Sequence, residues 1–165
     1  MELSPVWEFV SDKVMGGVSN GTLREEKLKD IKVTRLTGRV SLENNGGFLQ
    51  MAFNPTPIRQ LFDASAWSGI EIDVIGNLQT YDLRLRTDEL TRPWQSYRTS
   101  FIAPKTLTSI QISFHDFKPH RTEIPLDTRR LRRIGVLAIG RAFDADIAVA
   151  GIRLFRQNPK ASRSS

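Results

Sequence analysis

The residues able to do chemistry are few. His115 and His120 are the only histidines and sit in "FHDFKPH". Their five-residue separation in a proline-containing loop matches no metal-ligand spacing, so both read as surface or turn residues. Glu71 and Asp73 fall on one face of the stretch "GIEIDVIG". The strand rise separates them by about 7 Å, the spacing that inverting glycosidases use for two carboxylates. Cross-strand ion pairing is the simpler account. In a hairpin over 69 to 87, Glu71 would face Arg86 and Asp73 would face Arg84; the neighbouring register would oppose Asp73 to Asp82 and pair Glu71 with Arg84. "DAD" at 144 to 146, with Asp12 and Asn20, could offer oxygen atoms to calcium, but no ordered ligand run accompanies it. "GVSNG" is not a nucleophile elbow, and neither a phosphate loop nor a complete dinucleotide-binding glycine motif occurs. No metal, cofactor or catalytic residue is expected, and an enzyme is not the favoured reading.

Zero cysteines among 165 residues exclude a disulfide framework and thiolate chemistry and fit a reducing compartment. "MELSPVWEF" has no basic and apolar leader pattern, and no run approaches the length of a membrane span. The expected protein is soluble and cytoplasmic. The net charge of +6 is unevenly placed: residues 1 to 117 hold 13 Lys and Arg against 14 Asp and Glu, and residues 118 to 165 hold 11 against 4. The densest part, "TRRLRR" at 128 to 133, reads as a solvated turn before a buried strand. Nucleic acid is the less favoured partner because no aromatic residue is interleaved for base stacking.

Periodicity predicts strands. "GIEIDVIG" alternates Ile70, Ile72 and Val74 with acids; "YDLRLRT" sets Tyr81, Leu83 and Leu85 against Asp82, Arg84 and Arg86; "SIQISF" repeats the pattern over Ile110, Ile112 and Phe114. Further strands are expected at Val6 to Val10, Ile31 to Leu36, Arg39 to Glu43, Phe48 to Phe53, Gln95 to Ile102, Ile134 to Ile139 and Asp146 to Phe155. "IRQLFDASAW" at 58 to 67 is the one candidate for a short helix. About ten strands at this spacing predict an all-β sandwich of the jelly-roll type in one domain over 1–156, followed by a disordered basic tail over 157–165. The apolar "IAVAGIRLF" should lie centrally in its sheet. Gly16-Gly17 and Gly46-Gly47 should bend the chain beside strands, "NNGG" as a hairpin connection.

The string "WEFVSDKVMGGVSNG", followed by "TGRVSLENNGGFLQM", resembles the opening of the complex I intermediate-associated protein family, the assembly-factor domain linked to NADH:ubiquinone oxidoreductase. "YDLRLRT", Trp94 with Tyr97, "SFHDFKP" and "RRIGVLAI" follow in the family's order, and the likeness runs from about Trp7 to Phe155. It implies a galactose-binding-like jelly roll and a non-enzymatic role as assembly factor or chaperone. Mitochondrial members are soluble matrix factors for the membrane arm of complex I; this chain looks like a stand-alone bacterial member. The implied partner is a protein client, a membrane-complex subunit or assembly intermediate, with a glycan or small ligand as the alternative.

Two surfaces are candidates for that partner. If the central strands are neighbours, Asp82, Arg84 and Arg86, then Ser96 and Arg98, then Gln111 and Ser113, share one wet face, with Trp94 as an aromatic anchor at its edge. Guanidinium forks beside amides and hydroxyls suit bidentate recognition of carboxylates, phosphates or sugar hydroxyls. The second is the motif loop, read first as a structural hallmark that Gly16, Gly17 and its hydrogen-bonding polar side chains hold near Trp7 at one end of the sandwich, with direct contact to a partner as the alternative. There Asp12, Met15 and Ser19 are the side chains to consider as contacts.

Overall fold

The computed structural model describes residues 1–57 and 60–157. Among the described residues the chain forms eleven strands and short 3-10 turns, and no α-helix. The strands are β1 (Glu8–Ser11), β2 (Asn20–Leu28), β3 (Ile31–Val40), β4 (Phe48–Phe53), β5 (Gly69–Gly76), β6 (Thr80–Thr87), β7 (Ser96–Ile102), β8 (Thr108–Ser113), β9 (Lys118–His120), β10 (Leu131–Ile139) and β11 (Phe143–Phe155). They build two antiparallel sheets, one ordered β1-β4-β10-β6-β7-β9 and the other β2-β3-β11-β5-β8.

The alternating apolar positions explain the layering. Ile70, Ile72 and Val74 of β5, Leu83 and Leu85 of β6, Val136 of β10 and Ile147 of β11 are all fully buried between the sheets. Opposite faces of these strands keep their charged residues in water, as a period of two requires. Tyr81 and Tyr97 are buried in the same core and satisfy their hydroxyls at its margin: Tyr81 donates to Asn77 Oδ1 (2.6 Å) and Tyr97 to the Pro125 carbonyl (3.3 Å). The apolar final strand β11 is indeed central in its sheet.

Several expectations need correction. β5 and β6 do not form a hairpin: β5 pairs with β8 and β11, whereas β6 pairs with β7 and β10 in the other sheet. Connections that cross between layers separate strands adjacent in sequence, so neither proposed Glu71/Asp73 register with β6 exists. "NNGG" likewise joins β3 to β4 across the two sheets and is not a hairpin turn. Ile31 to Leu36 and Arg39 to Glu43 belong to one strand, β3, ending at Val40. Residues 60–67 of the expected helix are irregular; Phe62 instead bridges to Leu131, its N–H donating to the Leu131 carbonyl (2.9 Å) and its carbonyl accepting from the Leu131 N–H (3.0 Å). The expected tail lies outside the described residues from 158 onward.

Candidate functional site

The motif loop between β1 and β2 is built around one buried charge. Asp12 opens a 3-10 turn, Asp12–Met15, closed by Gly16 in the left-handed region (φ 86°). Its carboxylate is inaccessible to solvent and accepts four hydrogen bonds: from the Ser19 N–H (3.0 Å), the Ser19 hydroxyl (2.5 Å), the Gly47 N–H (2.6 Å) and the Phe48 N–H (3.3 Å). Burial alone would push this carboxyl up. The hydrogen bonds outweigh burial and hold it below the usual carboxylate range. Ser19 Oγ also accepts from the Ser41 N–H (2.9 Å). A single carboxylate thus ties β1 of one sheet to the starts of β2 and β4, using both halves of the glycine signature. A Cβ on Gly17 or Gly46 would collide with that carboxyl, so each pair contributes one glycine for close approach.

Asp12 and Ser19 are both buried in this hydrogen-bonded frame, and neither side chain is presented to solvent. Of the three candidate contacts, only Met15 is accessible, at 60% exposure, beside the exposed Val14. Trp7 is not near the loop either. It packs edge-on against Phe53, ring centroids 4.8 Å apart, at the opposite end of β1.

The expected wet face divides between the two sheets. Asp82, Arg84, Arg86 and Arg98 do lie together on the outer face of the six-stranded sheet. The register there runs Glu8, Ala52, Gly135, Arg84, Arg98, Lys118 across six strands. Arg84 holds Asp82 through Nη2 (2.9 Å) and Nε (3.1 Å), and both side chains are mostly covered. Arg98, directly opposite Arg84, is exposed, and Lys118 opposes Arg98 in turn. Like charges facing each other across a ladder are destabilising unless something anionic is added. At the rim, Arg86 Nη1 donates to the carbonyls of Arg92 (3.0 Å), Pro93 (3.2 Å) and Gln95 (2.5 Å). It therefore clasps the loop that displays Trp94, which is 61% exposed with Arg92 near its ring. His120, beside this face, has its pKa lowered by burial and then by Arg98 and Arg84.

Gln111 and Ser113 belong elsewhere, because β8 is an edge of the five-stranded sheet. Gln111 donates to Glu71 (3.1 Å), and Ser113 Oγ accepts from the His115 N–H (3.2 Å). On that sheet Arg153 binds Glu71 (2.6 Å), both oxygens of Asp73 and Glu2, while Ser109 donates to Asp73 (2.5 Å). The pair considered for general acid and base chemistry thus shares one guanidinium. The carboxylates considered for calcium are engaged too: Asp146 by Arg35 (2.6 and 2.8 Å) and Asp144 by Arg39 (3.4 Å). In "TRRLRR", Arg129 pairs with Asp127 (3.0 Å) and Arg130 with Asp88 (2.5 Å).

Residues 2–149 match the model of the family described as complex I intermediate-associated protein 30. The chain belongs to this family. No curated protein matches it. Among solved structures it is similar to the family 11 carbohydrate-binding module of a cellulosomal cellulase from Clostridium thermocellum. The TM-score is 0.74 at 14% identity, covering 92% of this chain and 88% of that one. The same family 11 module in complex with a β-1,3-1,4-mixed-linked tetrasaccharide gives 0.73 at 14% identity, covering 91% and 88%. A family 30 carbohydrate-binding module of another Clostridium thermocellum cellulosomal cellulase gives 0.69 at 13% identity, covering 96% of each chain. These likenesses show the fold alone, a two-sheet jelly-roll sandwich of the kind that the strand pattern predicts and the motif resemblance implies. No helix among the described residues is long and apolar enough to cross a membrane.

Lys118 and the arginine pair Arg132 and Arg133 escaped sequence reasoning as members of this face. Lys118 sits on a three-residue strand too short to show a period. The signal for the pair was readable: two arginines lie between the buried Leu131 and Ile134, where strict alternation permits one outward residue.

Proposed function

We propose that this protein is a non-catalytic binding module that assists assembly of a membrane-protein complex such as respiratory complex I. It holds its protein client on the outer face of the six-stranded sheet. Arg84 with its Asp82 partner and the exposed Arg98 form the recognition surface, Trp94 anchors its rim, and Arg86 positions the tryptophan. Family membership supports the assembly role. The observation favouring this face is the cation row Arg84, Arg98, Lys118, which has one carboxylate partner inside the sheet, while the opposite face neutralises itself.

Deleting the gene in the native host and resolving membrane complexes on native gels tests the reading. Assembled complex should fall and membrane-arm intermediates accumulate; wild-type protein should restore assembly, and the Arg84→Gln, Arg98→Gln double variant should not. Normal assembly in the deletion strain overturns the role. Full rescue by the folded double variant overturns the face. A second reading, carbohydrate binding, draws on the fold shared with the family 11 and 30 modules and on exposed Trp94. Saturable binding on a glycan array, lost in Trp94→Ala, would favour it.

A further inference from the structure

After β4 ends at Phe53, Asn54, Thr56, Pro57 and Gln60 flank the beginning of β10, whose first residue, Leu131, is bridged by Phe62. A pocket of about 440 Å³ opens there, within the size range of small-ligand sites. Its wall is shaped by a β-bulge. Leu131 pairs with Thr87 and Arg133 with Arg86, so Arg132 is the extra residue. Leu131 and Ile134 both point into the core, and the bulge therefore turns Arg132 and Arg133 outward together, opposite Arg86.

We propose that this pocket binds a phosphate-type oxoanion between Arg86, Arg132 and Arg133, with Asn54, Thr56 and Gln60 as neutral hydrogen-bonding walls. Among the described residues the lining contains one acid, Asp88, and Arg130 already holds it through Nη2 (2.5 Å) and Nε (2.7 Å). The described residues of the pocket thus gather three guanidinium groups and no spare carboxylate. Arg133 reaches Asn54 Oδ1 (3.0 Å) and the largely exposed Glu8 (3.3 Å) outside the pocket, contacts readily exchanged for a stronger acceptor. The Arg86 guanidinium is pushed below its ordinary pKa first by burial and then by Arg133, a strain that a bound dianion relieves. Three guanidinium groups from two strands line the one pocket, more donors than a planar carboxylate served by a single fork can use and a number that suits a tetrahedral dianion. The volume leaves room for an organic group beyond the phosphate. This inference does not rest on the assembly role.

Calorimetric titration of the full chain with inorganic pyrophosphate tests it, with phosphatidate-containing and pure phosphatidylcholine vesicles as a second arm. One-site saturable binding that weakens about tenfold or more in Arg133→Gln and in Arg132→Gln, with unchanged melting temperatures, is expected. Arg86 is left intact because it clasps the Trp94 loop. Binding to pyrophosphate marks a free phosphorylated ligand; binding only to phosphatidate vesicles, with the same arginine dependence, marks a lipid headgroup. Absence of saturation in both arms, or affinity unaltered in both variants, overturns the site.

Discussion

The outer face of the five-stranded sheet and that of the six-stranded sheet both carry arginines, and the two use them differently. On the first, Arg153 is gripped by Glu2, Glu71 and Asp73, and Arg35 by Asp146 and Glu26; both guanidinium pKa values are raised by these partners. On the second, Arg84 has Asp82, while Arg98 confronts Arg84 on one side and Lys118 on the other across the ladder. The same side chain closes one surface and leaves the other with unspent hydrogen-bonding capacity. A face whose charges are satisfied internally contributes to stability. A face whose charges repel gives up some stability and gains affinity for anions.

The contrast depends on the two sheets staying joined, so the largest effect belongs to Asp12. Asp12→Ala should destabilise the fold by about 3–5 kcal/mol, because it leaves buried N–H and hydroxyl donors unsatisfied. Urea unfolding midpoints measure this, and a loss under about 1 kcal/mol would deny the carboxylate its tying role. Next comes the closed face: Arg153→Ala strands Glu71 and Asp73 against each other and should cost about 2–3 kcal/mol by the same measurement. Parity with Arg98→Gln would erase the distinction between the faces.

Acid gives a smaller, distributed effect. Hydrogen bonding by Arg153 lowers the Asp73 pKa despite burial, and Asp12 is lowered by its own donors. Their stabilisation is fully present above the unfolded carboxyl value of about 4 and is lost as pH falls through the depressed folded values. Melting temperature should therefore drop steeply below that point, and the Asp73 share should be missing in Arg153→Ala. The smallest effect concerns the open face. Arg98→Gln should leave stability within about 0.5 kcal/mol of wild type, or raise it. It should also move the His120 pKa back up toward its ordinary value, which NMR titration of the imidazole reads. An unmoved His120 would mean that the cation row is electrostatically inert.

Much of this architecture could be read from residue alternation. Tyr81, Leu83 and Leu85 mark β6 nearly to its ends, and the apolar β11 announced its central place. The pairing of strands was hidden because the partners are remote: Glu71 meets Arg153, 82 residues away, instead of the nearby Arg86. β2 went unseen because "TLREEKL" carries charges at both parities. Its turn to β3 uses Lys29 and Asp30, both with positive φ (48° and 69°), where Asn-Gly would have signalled a hairpin. The motif loop was legible as special, yet no spacing rule shows that glycines 29 residues apart enclose one carboxylate. Half of the candidate face, Asp82 to Arg86 with Arg98, follows from alternation within one true hairpin, β6–β7. Gln111 and Ser113 failed because alternation identifies a face without identifying the sheet.

The open face ends at β9, three residues long with Pro119 in the middle. A proline in an outermost strand cannot donate a main-chain hydrogen bond, and so short a border offers no template for lengthening the sheet. An incoming polypeptide is thereby denied capture by backbone zippering along this margin. On the proposed reading of this face, a partner would lie across the strands and be read by side-chain tips, so selectivity would follow the chemistry of its functional groups and tolerate variation in its main-chain shape.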